Sequence, residues 1–258
     1  MSLPDQRDPW VRLRQFTPAR IGLARAGAAV TTAEQLAFQL AHAQARDAVH
    51  APFNAAAVAA DLTGRRFAVV SLDSAAPDRT AYLMSPNLGR RLSDAARWRL
   101  SELVCDFASD FTGDLAVVVA DGLSALAVHR HAAPLMAALS GQLPGAVKIG
   151  TVAVVERGRV AIGDEIGAAL NARLVMVLIG ERPGLSAPDS LGAYLTWAPK
   201  VGRKDAERNC VSNIRPEGLG YDAAAAKLAY LITESLRREL TGVMLKDETG
   251  SALLAHAD

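Results

Sequence analysis

Residues 174–184 read Leu174-Val-Met-Val-Leu-Ile-Gly180 followed by Glu181-Arg-Pro-Gly184. A short, nearly unbroken apolar run suits a strand buried on both faces of a parallel sheet, since a strand with one solvated face would alternate. Pro183-Gly184 ends it abruptly. In open α/β sheets, ligands collect in the crevice beyond the carboxyl ends of the strands. The charged pair Glu181-Arg182 therefore stands where this fold class places its chemistry; taken alone, the same pair reads equally well as a solvated turn.

Outward from this stretch the same plan recurs. Asp114-Leu-Ala-Val-Val-Val-Ala120 is a second buried-strand candidate. Asp121-Gly122-Leu123-Ser124 then turns the chain into a helix over 124–140, with Gly122 at the tight turn and Asp121 or Ser124 as its cap. Residues 149–155 read as a strand, 163–171 as a helix and 174–179 as the next strand. Upstream, 67–72 reads as a strand, 80–84 as its hairpin partner, Ser85-Pro86-Asn87 as a turn and 91–107 as a helix, with Cys105 expected as a core thiol. Downstream come strands at 193–197 and 210–214. A long helix capped by Asp222 follows, with Ala225, Ala229, Ile232 and Leu236 on one face and Gly242 closing it. Alternating strand and helix predicts an α/β fold with a mostly parallel sheet, right-handed crossovers and flanking helices.

Residues 1–57 read as a helical, Ala-rich N-terminal region whose boundary extends to about 110 on a wider reading; 58–258 hold the α/β body. Thr31 and Glu34 fit a capping box. Leu36, Leu40 and Ala43 then share a helical face, and Pro52 ends the pattern. The segment is too short for a core of its own, so that face is expected to pack on the rest of the chain or on another protein.

The 258 residues suffice for one large domain or two small ones, and a hydrophobic fraction of 50% supports a sizeable core. A net charge of +1 argues against a nucleic-acid surface. Two cysteines, Cys105 and Cys210, make no disulfide framework and point to a reducing compartment. No run approaches the ~18–20 apolar residues of a membrane span, and the N-terminus lacks a signal-peptide core. Arg7, Arg12, Arg14, Arg20 and Arg25, interleaved with Asp5 and Asp8, read as a solvated or partner-contacting arm.

Several chemistries lack their signatures. The chain has no G-x-G-x-x-G after a strand and no G-x-x-x-x-G-K-[ST]. Ser124 sits in Asp-Gly-Leu-Ser-Ala rather than a nucleophile elbow. His129 and His131 are two apart on a helix and do not face each other, which argues against a shared metal; His129 reads as a surface or interface residue. Cys210 has no neighbouring cysteine, so no structural zinc pattern forms. The strand-end loops at Asp121-Gly122, Glu181-Arg182 and Cys210–Asn213, with Val160 in the turn after the 149–155 strand, offer hydrogen bonds and backbone amides. They hold no evident acid–base–nucleophile set, and that combination suits holding a cofactor.

Four blocks carry a resemblance over nearly the whole chain, in order. They are Phe38-Gln-Leu-Ala-His-Ala-Gln-Ala-Arg-Asp47, Pro86-Asn-Leu-Gly-Arg-Arg-Leu92, Ala120-Asp-Gly-Leu-Ser124 and a long C-terminal signature. The last comprises Gly158-Arg-Val-Ala-Ile-Gly-Asp164, Gly180-Glu-Arg-Pro-Gly-Leu185, Asp189-Ser-Leu-Gly-Ala-Tyr194 and Arg208-Asn-Cys-Val-Ser-Asn-Ile214. The chain resembles the small (light) subunits of ethanolamine ammonia-lyase, an adenosylcobalamin-dependent enzyme. The resemblance implies a Rossmann-like cobalamin-binding domain preceded by a small helical domain. It implies a large-subunit partner with a (β/α)8 barrel that binds most of the substrate, in a hetero-oligomer with cobalamin between the two chains. The implied reaction is radical conversion of ethanolamine to acetaldehyde and ammonia, with no turnover by the small subunit alone.

Carried over residue by residue, the family's cobalamin contacts fall on Val160, Glu181 and Cys210. No catalytic residue and no cobalt ligand is expected on this chain, which lacks an Asp-x-His-x-x-Gly motif. Trp197 replaces a usual tyrosine. The leader linked to packaging in a bacterial microcompartment looks short, so the expected localisation is a microcompartment where the host makes one, otherwise the cytoplasm. Two other readings stand beside this one: a stand-alone α/β enzyme using Asp121, Ser124 and Glu181, and a non-catalytic assembly subunit.

Overall fold

The computed structural model describes residues 9–17, 19–106 and 113–248; Asp5, Arg7, Asp8 and Phe107 lie outside them. The N-terminal part holds helix α1 (Pro9–Arg14), a small antiparallel pair β1 (Arg25–Ala26) and β2 (Ala29–Val30), and the long helix α2 (Thr32–His50). Thr31 caps α2 by accepting the Glu34 N–H at 3.4 Å. The Glu34 carboxylate turns to Arg20, 3.7 Å away, so the capping box is only half made. Along α2 only Ala48 is buried, and Leu36 and Leu40 remain 59% and 61% exposed. The described part of the chain leaves that apolar face uncovered.

From residue 55 the order is α3 (Ala55–Gly64), β3 (Val69–Asp73), α4 (Arg79–Met84), α5 (Asp94–Asp106), β4 (Leu115–Ala120), α6 (Ala125–Gln142), β5 (Ile149–Glu156), α7 (Ile162–Ala169), β6 (Leu174–Gly180), β7 (Leu191–Trp197), β8 (Arg208–Ile214) and α8 (Tyr221–Arg238). Six strands form one mixed sheet in the order β3-β5-β4-β6-β7-β8. The first four are mutually parallel; β7 runs antiparallel to β6, and β8 antiparallel to β7. The physical reason lies in the connections. β4 to β5 and β5 to β6 are joined through helices, as parallel neighbours require, whereas loops alone join β6 to β7 and β7 to β8.

The two-residue period of a strand decides where the core sits. Along β4, Val117 and Val119 pack with α3, α6 and α8 on one face, while Ala116, Val118 and Ala120 pack with α5 and α7 on the other. Every residue of β4 and of β6 is buried, which is why both read as continuous apolar runs.

Some expectations change. Residues 80–84 are helical, not a hairpin strand: the Asp78 carboxylate accepts the Ala81 N–H at 2.8 Å and starts a six-residue helix. Cys105 is exposed rather than in the core, because Ala96 and Leu100 define the buried face of α5 and residue 105 falls off it. Gly220, not Asp222, occupies the N-cap of α8. That helix ends at Arg238 through Glu239 in the left-handed region (φ 57°), before Gly242 is reached.

The outer strand β8 is flanked by the turn at 242–245. Asn209 donates to the carbonyls of Gly242 (3.3 Å) and Leu245 (2.9 Å) and accepts the Gly242 N–H (2.8 Å). Among the described residues, no helix is long and apolar enough to cross a membrane.

Candidate functional site

The carboxyl ends of β4, β5 and β6 open onto a crevice of about 460 Å³. It is lined by Gly122 and Leu123 after β4, Arg159 and Val160 after β5, and Ile179 to Arg182 at the end of β6. Tyr82 of α4 and Tyr194 of β7 form its walls. Two glycines let its floor close. Gly122 holds φ +56°, and a Cβ there would sit 2.3 Å from the Gly180 carbonyl oxygen. A Cβ on Gly180 would sit 2.0 Å from the Ser124 carbonyl oxygen. The Leu123 N–H donates to the Gly180 carbonyl at 2.9 Å, so the turn after β4 is stitched to the end of β6.

Val160 and Glu181 both line this crevice. The Glu181 carboxylate is fixed on one oxygen, which accepts the Ser190 hydroxyl in a short hydrogen bond and the Asn213 N–H at 3.2 Å. The other oxygen lies over Gly192, where a Cβ would come within 2.9 Å of it. Among the described residues that second oxygen accepts no hydrogen bond. Cys210 lies on the edge strand β8, directly opposite Tyr194 of β7. The residue keeps solvent contact. Partial desolvation nevertheless raises its thiol pKa, the Glu181 charge adds to the rise, and a hydrogen bond with Tyr194 opposes it. Of the three residues expected from sequence, Val160 and Glu181 thus meet in the crevice, while Cys210 lies outside its lining, midway along the sheet and beside its Tyr194 wall.

The other wall was not legible in the sequence. Tyr82 is buried, and its hydroxyl donates to the Gly158 carbonyl at 3.2 Å. The guanidinium groups of Arg159 and Arg79 lie 4.4 and 4.9 Å from its ring centroid, within cation–π range. Burial pushes the Tyr82 pKa up to about 12, against the pull of Arg159. Behind it, Asp121 is raised to about 6, because its burial outweighs the Arg79 guanidinium 3.0 Å away and the backbone N–H groups of Arg157 and Gly158. Ser124 is committed to structure: its hydroxyl donates to the Pro188 carbonyl at 2.9 Å and caps α6 by accepting the Ala127 N–H at 3.3 Å.

The loop from Arg182 to Ser190 is anchored at its far end. Asp189 meets Arg130 at 2.8 Å, Arg215 at 3.3 Å and His131 at 3.3 Å. His131 is buried, contacts the Tyr221 hydroxyl through Nδ1 at 2.8 Å, and has its pKa lowered by desolvation. His129 points elsewhere, is exposed, and accepts the Asn54 N–H at 3.0 Å. The described residues contain no cluster of His, Cys, Asp and Glu able to hold a metal ion.

The donors and acceptors present fit a corrinoid. Its rim carries primary amides, which need acceptors such as the free Glu181 oxygen, and its flat apolar faces suit Val160 and the tyrosine walls. The crevice is too small to enclose such a molecule, so most of a bound corrinoid would face outward.

Comparison with known proteins places these features in a family. The family model described as ethanolamine ammonia-lyase light chain (EutC) matches residues 7–246. The chain is similar to an ethanolamine ammonia-lyase small subunit from Ralstonia nicotianae, 55% identical over 251 residues and covering 96% of this chain and 92% of that one. It is 56% identical over 254 residues to one from Azotobacter vinelandii, covering 97% and 93%. It is also 56% identical over 249 residues to one from Xanthomonas campestris pv. campestris, covering 96% and 91%.

Proposed function

Because this chain belongs to the ethanolamine ammonia-lyase light-chain family, we propose that it is the subunit that grips one side of adenosylcobalamin in the strand-end crevice, while a large subunit supplies the opposite side and the substrate pocket. One observation carries the reading: a carboxylate held rigid by two donors, with one oxygen left to accept, at the mouth of a crevice too small to enclose its ligand. Rigid acceptors of this kind orient a ligand without the entropic cost of ordering a loose side chain.

The roles of this chain's residues follow from their positions. Glu181 accepts from the corrin amides. Val160 supplies apolar contact, and Cys210 keeps the edge of β8 thin enough for close approach. Gly122 and Gly180 bring two strand-end backbones together as a floor. Tyr82, held by its hydrogen bond and two guanidinium groups, stays protonated and excludes water from behind the site. When bound, adenosylcobalamin supplies the radical that removes hydrogen from ethanolamine on the way to acetaldehyde and ammonia. No side chain of this chain ligates cobalt in this reading, and none acts as acid or base on substrate. The commitment of the Ser124 hydroxyl to Pro188 and to the α6 cap speaks against a stand-alone hydrolytic site. The uncovered apolar face of α2, with Leu36 and Leu40, supports contact with a partner chain.

The test uses the co-expressed two-chain complex, incubated with cobalamin, freed of excess and examined by visible absorption. The parent complex is expected to retain a corrinoid spectrum, and a Glu181→Gln, Cys210→Phe variant complex of the same stoichiometry is expected to lose most of it. Equal retention by the variant, or acetaldehyde formation by this chain without its partner, overturns the reading.

A further inference from the structure

Next to the crevice lies a larger cavity of about 820 Å³, and the two share Arg159 and Val160 along their common rim. Its walls come from the 87–91 loop, the turn into α7 and the β7–β8 loop. Its charge balance is lopsided. Of the three carboxylates that face it, two are answered from the protein side: Asp164 by Arg208 at 2.7 Å, and Glu165 by Arg97 and by the Leu92 N–H at 2.9 Å; the third, Asp205, is fully exposed and reaches only Arg208 Nε, 3.8 Å away. Arg203 is likewise taken up by Glu207. What remains is Arg90, Arg91 and Lys204, whose side chains make no hydrogen bond or ion pair among the described residues, together with Arg159. Arg159 is pinned against Tyr82 by its stacked guanidinium and by a 3.1 Å bond from Nη2 to the Tyr82 carbonyl, while its Nε is buried without a partner. Four cations set against the single exposed carboxylate of Asp205 leave the cavity with an excess of positive charge, which describes an anion site.

The chemistry of the ligand narrows the choice. The corrin side chains of cobalamin are neutral amides, and its one formal anion is the phosphodiester of the nucleotide loop. We propose that the cavity lined by Arg90, Arg91, Arg159 and Lys204 receives the phosphodiester of the cofactor's nucleotide tail, so that this chain recognises cobalamin at two separate points. The inference rests on the cofactor reading above and adds a second subsite to it.

The test compares two corrinoids on the two-chain complex by spectroscopic titration. Cobinamide keeps the corrin and its amides but lacks the nucleotide loop. An Arg91→Gln, Lys204→Gln variant is expected to bind cobalamin about tenfold or more weakly, the scale of losing a charge-assisted hydrogen bond, with cobinamide affinity unchanged. Unchanged cobinamide affinity also reports an intact fold and complex. Glu181→Gln is expected to weaken both corrinoids. Equal loss of both corrinoids in the Arg91/Lys204 variant, or loss of neither, overturns the tail subsite. Loss of inorganic phosphate binding with both corrinoids unaffected overturns it in favour of a free-anion site. Insensitivity of both corrinoids to Glu181→Gln as well as to the Arg91/Lys204 variant overturns the cofactor reading itself.

Discussion

Arg208→Met should be among the most damaging single substitutions in this chain. Arg208 and Asp164 form a bidentate pair with both Nη–Oδ distances at 2.7 Å, and each side chain is only 2% exposed. The same guanidinium donates to Thr196 Oγ1 at 2.7 Å and to the Arg203 carbonyl at 3.0 Å. Removing one partner of such a pair leaves the other charged and without water, at a cost of about 3–5 kcal/mol. For a chain of this size each kcal/mol lowers Tm by roughly 2–4 °C, so a fall of about 6–20 °C is expected. Asp164→Leu alone should cost a similar amount. The double variant should cost well below the sum, because no unpaired charge remains. Urea denaturation of the full chain, followed by tryptophan fluorescence, measures all three. A single variant within about 1 kcal/mol of the parent, or a double variant equal to the sum of the singles, would refute the argument. The pair also matters for position: Asp164 lies four residues after Val160 and Arg208 two before Cys210, so it ties the turn into α7 to the edge strand.

Two other predictions concern the floor of the crevice and its buried acid. Gly180→Ala places a Cβ against the Ser124 and Asp121 carbonyls at 2.0 and 2.6 Å; the backbones must part, at a cost of about 1–3 kcal/mol, and corrinoid retention by the complex should fall with stability. Asp121 is protonated more readily when folded (about 6) than when unfolded, so between pH 4 and pH 6 the folded state binds more protons. Its contribution therefore declines as pH rises through that window, by up to about 3 kcal/mol. Asp121→Asn should flatten this decline relative to the parent in denaturation curves at stepped pH, and a parallel pair of profiles would show that Asp121 is not the group responsible.

What could be read from sequence, and what could not, follows from how each signal arises. β4 and β6 were visible because burial on both faces removes every polar residue from the run. The antiparallel β7 and β8 were visible as strands, but their direction is set by connections that lack a helix. The short helix α4 reads as a strand because Thr80 and Tyr82 favour strands locally and six residues span less than two turns; the Asp78 cap is the one available clue. Glu181, Val160 and Cys210 are legible only through the family's motifs; the first two meet at the sheet's carboxyl end and Cys210 lies beside Tyr194 midway along it. The cationic hold on Tyr82 escaped notice, since Arg79, Tyr82 and Arg159 are brought together only by folding. The same is true of the Asp189–His131–Arg215 anchor.

The hydrogen bonds of Asn209 to Gly242 and Leu245 have a consequence for self-association. An outermost strand offers a ladder onto which a stray polypeptide can zip, the usual route to strand exchange and fibrils. Here a single side-chain amide, using both its carbonyl and its NH2, holds the 242–245 turn against the first residues of that strand. The turn restricts access to β8 beside Asn209, while the neighbouring Cys210, opposite Tyr194, stays exposed.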